Sequence, residues 1–261
     1  MGIRMCTLSS GSNANCTYVE AGGARFLIDA GLSARAIERG LDDVGGCEPG
    51  DLDAILVTHE HRDHIAGVGV MGRRHGIPVL SNAGTRSELE RYVGPRVQMR
   101  TFCTGRYFKV ADSEVMPFPV SHDASEPVGF IIHHGRRRAV TATDMGYLHP
   151  MTLSRFKGAE LLLFEANHDP YMLENGPYPE DLKRRIRSPL GHLSNDQSAQ
   201  HLTKIVAERT RCVLLAHLSE NNNTPCKALD TVGARLERDG PSCPELGVAP
   251  RYSPSRWMET D

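Results

Sequence analysis

The chain has 261 residues, a length at which α/β folds often form one domain with a large core, so we expect residues 1–261 to be a single domain. A hydrophobic content of 39%, a charged content of 24% and a net charge of -2 exclude a disordered tail or a strongly basic protein. No stretch approaches the roughly 20 apolar residues that cross a bilayer, so we expect a cytoplasmic protein with no membrane partner.

The first part of the chain predicts strands that give way to alternating helices and strands. Three short segments between Gly-rich and Ser-rich turns predict β-hairpins at residues 5–8, 17–21 and 25–28. Ser33 can cap a helix over residues 34–44, which Gly45 and Gly46 end. The elements predicted next are a buried strand at 54–57, a helical stretch toward Gly72, a strand at 78–81 and a helix at 85–93.

The middle of the chain predicts a β-meander, and the remainder predicts alternating strands and helices. The meander strands are expected at 107–110, 114–120, 128–133 and 138–143. Later strands are expected at 161–164 and 212–215, with helices at 197–208 and 227–238. Strands in both halves with helices between them predict two sheets, each covered by helices on its outer face.

The cysteines predict reduced thiols rather than a disulfide framework. They are odd in number and include no C-x-x-C pair. Their positions are Cys6, Cys16, Cys47, Cys103, Cys212, Cys226 and Cys243. This spacing also argues against a zinc site built from thiolates.

Histidines and an aspartate crowd into the segment directly after the strand predicted at 54–57. His59, His61, Asp63 and His64 fall within six positions. Imidazole nitrogen and carboxylate oxygen are the usual protein ligands of zinc and related divalent ions. The alternative is a solvated loop that happens to be rich in histidine, but such clusters otherwise occur mainly as metal-binding tracts. The segment therefore predicts a metal site at the end of a buried strand.

Four more polar residues each follow a predicted strand. They are Asp29, His122, Asp144 and His217. Taken singly, each has an ordinary structural explanation, because Asp caps turns and a lone His is more often a hydrogen-bonded residue than a ligand. Together with the histidine segment they supply enough ligands for two metal ions.

The order of these residues resembles the five motifs of the metallo-β-lactamase superfamily. This resemblance implies an α/β (α+β) fold, the αββα sandwich, with two mixed β-sheets flanked by helices. It implies one metal ion on His59, His61 and His122, a second on Asp63, His64 and His217, and Asp144 as the bridge. Asp29 would orient a metal-binding imidazole without touching metal.

The implied pair of ions also implies the chemistry. Two divalent cations about 3.5 to 4 Å apart lower the pKa of a shared water from 15.7 toward roughly 7, so hydroxide becomes the nucleophile. The same charges neutralise a phosphoryl group under attack. Asp63 is therefore expected to act in catalysis as well as in binding. The ligand types suit Zn or Mn, with Fe or Ni as further possibilities.

Glu165 and His192 resemble a pair in the tRNase Z branch of the superfamily. Glu165 follows the strand predicted at 161–164, and His192 stands in the segment Gly191-His192-Leu193-Ser194. By this resemblance Glu165 holds His192, which donates a proton to the leaving oxygen or steadies the scissile phosphate. The structural alternative is a capping glutamate and a histidine at the start of a helix.

Two further segments are similar to the WalJ (YycJ) group of bacterial exonucleases. Ser10, Ser12 and Asn13 precede a strand and offer hydroxyls and backbone N–H groups that form anion-binding nests, although a plain hairpin turn would look the same. The second segment is the basic run Lys183, Arg184, Arg185 and Arg187. It would line a groove for a nucleic-acid backbone, or else form a solvated face.

The resemblance implies a metal-dependent nuclease with DNA as the favoured partner and 5′-to-3′ exonuclease action. Three alternatives stay open: a thiolester or lactone hydrolase of the glyoxalase II kind, an RNA-processing nuclease resembling tRNase Z, and a nucleic-acid-binding protein with structural metals only. Glu165, His192 and the basic run favour the nuclease, because a neutral thiolester would need none of them. Structural zinc sites have closed sets of four ligands, unlike the implied set.

Overall fold

A computed structural model of the chain describes residues 2–241 and 244–260, so Cys243 lies outside the described residues. The chain divides into two compact units. The first unit comprises Met1–Pro119, Ala124–Arg137 and Pro250–Asp261, and the second comprises Val120–Asp123 and Arg138–Ala249. The strands form two seven-stranded sheets accompanied by helices, which confirms the predicted class. A single domain over residues 1–261 stays a prediction.

One complete sheet lies in the first unit, with the order β14-β1-β2-β3-β4-β5-β6. Its strands are β1 (Ile3–Ser9), β2 (Cys16–Ala21), β3 (Ala24–Ile28), β4 (Ala54–Leu56), β5 (Val79–Ser81), β6 (Met99–Thr101) and β14 (Met258–Glu259). The pairs from β14 to β3 are antiparallel, whereas those from β3 to β6 are parallel. The carboxyl ends of β3 and β4 therefore meet at one edge of the sheet, which brings Asp29 beside the histidine segment.

The helices of the first unit are α1 (Ala34–Asp43), α2 (Arg62–Ile65), α3 (Val68–His75) and α4 (Ala83–Val93). Ser33 caps α1 as predicted, because its side chain accepts a hydrogen bond from the backbone N–H of Ala36. Leu27, Ile37 and Met71 are buried together in one apolar cluster that packs helices against the sheet. The unit also holds the antiparallel strands β7 (Phe108–Val110), β8 (Ser113–Pro119) and β9 (Val128–His134).

Parallel strands and the remaining helices make up the second unit. The strands are β10 (Arg137–Ala142), β11 (Leu161–Glu165), β12 (Cys212–Ala216) and β13 (Glu245–Val248), each parallel to the next. The helices are α5 (Pro150–Phe156), α6 (Pro170–Asn175), α7 (Glu180–Arg187), α8 (Asn195–Ile205) and α9 (Pro225–Asp239). The runs Leu161–Phe164 and Cys212–Leu215 are buried throughout, as expected for parallel strands covered on both faces.

The observed elements confirm nearly all predicted strands and helices to within a few residues. Elements without a sequence prediction are the short strands β6, β13 and β14, the short helices α5, α6 and α7, and a 3-10 helix at Pro49–Asp51. All the residues of β6 are at least partly exposed, so that strand lacks the apolar pattern on which prediction depends. Among the helices in the described ranges, none combines the length and apolar character that a membrane span needs.

Candidate metal centre

Backbone strain is concentrated at predicted site residues. Among the described non-glycine residues, those with positive φ are Asp29 (60°), Ala111 (48°), Asp144 (58°) and His217 (56°). A positive φ is uncommon for residues with a Cβ atom and persists only where the surroundings enforce it. Asp29, Asp144 and His217 each follow a strand of a parallel pair, so the strained turn aims each side chain at the carboxyl edge of its sheet.

In the first unit the histidines of this segment lie close together. The ring centroids of His59 and His61 lie 4.6 Å apart, and those of His59 and His64 lie 4.1 Å apart. His61 precedes α2, and that helix carries both Asp63 and His64. The Nε2 atom of His64 lies 3.4 Å from Oδ2 of Asp63. His59 and His64 are buried, whereas His61 is partly exposed.

Asp29 orients two of these rings, one of them through Thr58. Its Oδ2 atom lies 2.7 Å from Nδ1 of His64. The Thr58 hydroxyl lies 2.8 Å from Oδ2 of Asp29 and 3.0 Å from Nδ1 of His59. Burial raises the pKa of Asp29, and the neighbouring His64 opposes that rise. Because the Nδ1 atoms of both rings face protein oxygens, their Nε2 atoms are the ones suited to a metal ion.

Asn15 also belongs to this group, although sequence reasoning did not identify it. Its amide nitrogen lies 3.1 Å from Nε2 of His64 and 3.3 Å from Oδ2 of Asp63. Its backbone N–H donates to the carbonyl of Asp63 over 2.8 Å. Asn15 is 48 positions from Asp63 in the chain, so no local pattern connects the two.

The N-terminal loop is built around the same asparagine. The Oδ1 atom of Asn15 accepts the backbone N–H of Gly11, and its amide donates to the carbonyl of Gly11. Ser10 is buried, and its backbone N–H donates to the carbonyl of Pro250. Ser12 and Asn13 are exposed. Of the predicted anion-binding residues, Ser12 and Asn13 therefore present their side chains to solvent.

Asp144 lies between two histidines in the second unit. Its Oδ1 atom is 3.4 Å from Nε2 of His217 and 3.8 Å from Nε2 of His122. The Nδ1 atom of His122 donates to the carbonyl of Gly191 over 3.3 Å, so its Nε2 atom is directed to Asp144. Burial lowers the pKa of His122, which favours the neutral imidazole that binds metal.

Glu165 forms a second centre within the same unit. Its Oε1 atom accepts hydrogen bonds from Nδ1 of His192 over 2.8 Å and from Nδ1 of His217 over 3.1 Å. Its Oε2 atom accepts the backbone N–H groups of Met145 and Leu193. Burial alone would raise the pKa of Glu165. The charges and hydrogen bonds of His192 and His217 outweigh that effect and lower the pKa to about 2. Its contact with His217 had no signal in the sequence.

His192 lies beside the histidines expected to bind metal. Its ring centroid is 5.1 Å from that of His122 and 5.1 Å from that of His217. Its side chain is 20% exposed, so one edge of the ring is reachable from solvent. The predicted partnership of Glu165 and His192 is present, and the cap of α8 is a different residue, Ser194, which forms a capping box with Gln197.

The basic run lies on α7 and is only partly available to a ligand. Lys183 is buried, and its ammonium donates to the carbonyl of Glu174 over 2.7 Å. Arg185 pairs with Asp123, and Arg187 pairs with Glu174. Arg184 is exposed. Lys183 therefore belongs to the buried face of α7, because it lies three positions before the buried Ile186 on the same side of the helix.

The donor set of the second unit fits a divalent metal ion. Asp144 and His217 offer ligand atoms that lie within 4.8 Å of one another, and Nε2 of His122 lies 3.8 Å from Oδ1 of Asp144. Glu165 and His192 lie in the same group, but they hydrogen-bond each other. Imidazole and carboxylate are the donors of zinc and manganese sites. The Nδ1 contacts of His122 and His217 fix which ring nitrogen faces Asp144, an arrangement that raises ligand basicity.

Comparison with known proteins identifies the family. A family model described as "Beta-lactamase superfamily domain" matches residues 24–218, which is more than half of the chain. The chain belongs to the metallo-β-lactamase superfamily. It is 39% identical to Exodeoxyribonuclease YycJ of Bacillus anthracis, over 92% of this chain and 91% of that protein. It is 38% identical to Exodeoxyribonuclease WalJ of Streptococcus pneumoniae, over 85% of this chain and 84% of that protein.

Solved structures agree on the fold. The metallo-β-lactamase fold protein YhfI from Bacillus subtilis matches with a TM-score of 0.75, covering 99% of both chains at 15% sequence identity. At this level of identity the match shows the fold alone. The αββα class predicted from the motif order is therefore confirmed, and so is the resemblance to the WalJ (YycJ) group.

Proposed function

We propose that this chain is a metal-dependent DNA exonuclease that degrades its substrate from the 5′ end. The observation that carries the proposal is its similarity to two exodeoxyribonucleases over 84% or more of each chain compared. The arrangement of histidines and carboxylates at the strand ends of each unit supports hydrolysis that depends on metal ions. Zn and Mn are the proposed ions, with Fe or Ni as alternatives.

The proposed ligands are those that the superfamily motifs assign. They are His59, His61 and His122 for one ion, Asp63, His64 and His217 for the other, and Asp144 for both. The contacts of Asp144 with His122 and His217 support its proposed role as the bridge. When bound, two divalent ions activate water and neutralise the charge of the phosphodiester.

His192 is the proposed proton donor, and Glu165 holds it in place. The buried carboxylate accepts a hydrogen bond from Nδ1 of His192, which leaves Nε2 without this partner, and the side chain is 20% exposed. A leaving oxygen needs a proton as the phosphodiester breaks, and an imidazolium held by a carboxylate supplies one by general acid catalysis. Asp63 is also proposed to act in catalysis, because its Oδ2 atom lies 3.4 Å from Nε2 of His64, a proposed ligand of the same ion.

Substrate binding is proposed for exposed residues of both units. In the first unit these are Ser12 and Asn13, with Ser10 shaping the loop from a buried position. On α7 they are Arg184, Arg185 and Arg187, and Lys183 supports the helix. Arg184 is the strongest candidate for a phosphate contact, because Arg185 and Arg187 already pair with acidic side chains.

A side-by-side assay tests this function against its alternatives. The substrates are 5′-labelled DNA, 5′-labelled RNA and a simple thiolester, each offered with and without a chelator. We expect release of the 5′ label from the DNA, stopped by chelation, and no comparable turnover of the thiolester. Preferential RNA cleavage would favour the tRNase Z alternative, and thiolester turnover without nucleolysis would favour the glyoxalase II alternative.

A further inference from the structure

A surface cavity lies beside the histidine segment in the first unit and has no part in the site described above. Its volume is about 510 Å³, and its walls come from α2, α3 and the end of α4. Cavities of roughly 300 to 1,000 Å³ are the usual size for small-molecule and nucleotide groups. Arg62, Ala66, Val70 and Tyr92 lie on its walls and are all exposed.

Gly69 shapes the wall where α3 meets α4. A Cβ atom at this position would lie 3.1 Å from the Cα atom of Val93 and 3.0 Å from Nη1 of Arg73. A side chain here would press on both contacts, so glycine favours this close approach of the two helices. Arg73 donates to the carbonyl of Val93, so it ties the end of α4 to α3. The cavity is therefore bounded mainly by helices, and Glu60, which precedes α2, also lines it.

The guanidinium of Arg62 differs from its basic neighbours. Arg74 pairs with Glu38, Arg86 with Glu90, and Arg91 with Glu88. Within residues 2–241 and 244–260, by contrast, no ion pair or hydrogen bond engages the side chain of Arg62. An exposed guanidinium with no ion pair at a cavity wall is suited to bind a phosphate. The carboxylate of Glu60 lines the same cavity and accepts the backbone N–H of Ser125.

Tyr92 supplies an aromatic surface on the same cavity. The residue is 69% exposed, and Val70 near it is 37% exposed. Aromatic side chains that remain open to solvent on a cavity wall are platforms on which unpaired bases stack. An aromatic ring and a free guanidinium on one concave surface are complementary to a nucleotide, which has an apolar face and a phosphate.

We propose that this cavity binds one unpaired nucleotide of a single-stranded segment, with its base against Tyr92 and Val70 and its phosphate against Arg62. Arg62 lies between His61 and Asp63 in the sequence, so the cavity adjoins the proposed metal ligands. A nucleotide held there would position the strand for cleavage a short distance away. This inference rests on the proposed nuclease function and adds a subsite to it.

The test measures binding by the full chain in chelator, so that cleavage does not interfere. The probe is a 3′-fluorescein single-stranded DNA of about 12 nucleotides, within the range of known single-strand site sizes. A series of such probes carries one abasic nucleotide, moved along the strand one position at a time. In the wild type, one abasic position is expected to weaken binding about tenfold, the loss that follows from removing a stacked base.

The variants assign that loss to the cavity. In Tyr92→Ala the same abasic position is expected to cost nothing further, whereas Tyr92→Phe keeps the tenfold effect. Tyr107→Ala is the matched control, because Tyr107 is 56% exposed in the same unit and lies outside the cavity. Arg62→Ala is expected to reduce the slope of log K against log salt by about 0.7 in magnitude. This is the contribution of one phosphate contact on a single strand. Arg91→Ala, which removes a cation paired with Glu88, is its control.

Equal losses for wild type and Tyr92→Ala at every abasic position would overturn the inference. Nucleolysis is measured on the same samples after metal is restored, so that the two ideas can fail separately. If the protein cleaves DNA with metal but Tyr92→Ala does not remove the loss at any abasic position, the subsite alone is overturned. Coupling without cleavage overturns the nuclease function and leaves the cavity as a nucleotide-binding site.

Discussion

The Oε1 atom of Glu165 lies 2.8 Å from the Nδ1 atom of His192, and the two residues differ sharply in burial. The glutamate side chain is fully buried, whereas the histidine is one-fifth exposed. A buried carboxylate with a pKa of about 2 stays ionised across the physiological range and fixes the ring that it contacts. His192 is therefore a rigidly held group with one accessible edge, which is what proton donation requires.

Replacing His192 by alanine should reduce turnover without removing metal. We expect kcat to fall by about 10² to 10⁴, the range for loss of a general acid, while the metal content per chain is unchanged. Glu165→Gln should lower kcat as well, because an amide no longer stabilises the oriented imidazole. Kinetics combined with metal analysis of the same preparations checks this. Loss of metal in His192→Ala would instead make His192 a ligand.

Asp29→Asn should weaken metal binding, although Asp29 is not a proposed ligand. Its carboxylate contacts Nδ1 of His64 directly and reaches His59 through Thr58, so the amide would loosen both rings. Residues that hydrogen-bond to metal ligands contribute about 10-fold to 100-fold to metal affinity. Competition with a chromophoric chelator measures the change. Asp53→Asn is the control, because among the described residues the Asp53 side chain accepts a hydrogen bond only from the backbone N–H of Arg25. An equal loss there would refute the role of Asp29.

Arg184→Gln should weaken DNA binding and reduce its salt dependence. One lost phosphate contact on duplex DNA lowers the slope of log K against log salt by about 0.9. Titrations at several salt concentrations, with chelator present, give that slope. Arg155→Gln removes an exposed arginine of α5 in the same unit and should leave the slope as it was. A slope that Arg184→Gln does not alter would place the DNA backbone elsewhere.

Alkylation should distinguish exposed from buried cysteines in the native protein. Cys103 and Cys226 are exposed and should react with iodoacetamide at about pH 8, where the thiolate is the nucleophile. Cys6 is buried, and burial raises its pKa to about 12, so it remains a protonated thiol at that pH. Peptide mass spectrometry reads out each site. Labelling of Cys6 before Cys103 would contradict this arrangement.

Most of the strands and the longer helices could be predicted. Each strand has a run of apolar residues, and each helix has apolar residues at helical spacing, on the face that is buried. The helices α6 and α7 gave weaker signals. Asp169 caps α6 just before Pro170, a combination that does mark a helix start. For α7 the sequence predicts a basic groove, because a run of charged residues does not reveal that Lys183 shares a buried face with Ile186.

The candidate site shows the same limit. Strand-end residues such as Asp29, Asp144 and His217 could be identified, because parallel strands deliver their following residues to one edge. The contacts of Asn15 with His64 and of Glu165 with His217 join positions 49 and 52 apart in the chain. Such pairs are set by tertiary packing, and neither spacing nor composition encodes them.

The most direct test of the account is metal-dependent degradation of a 5′-labelled duplex DNA by the wild type, His64→Ala and His75→Ala. His75 pairs with Glu38 and serves as a control histidine from the same unit. We expect chelation to abolish cleavage, Mn or Zn to restore it to the wild type and to His75→Ala, and His64→Ala to stay inactive. Cleavage that survives chelation, or that is unchanged in His64→Ala, would contradict it.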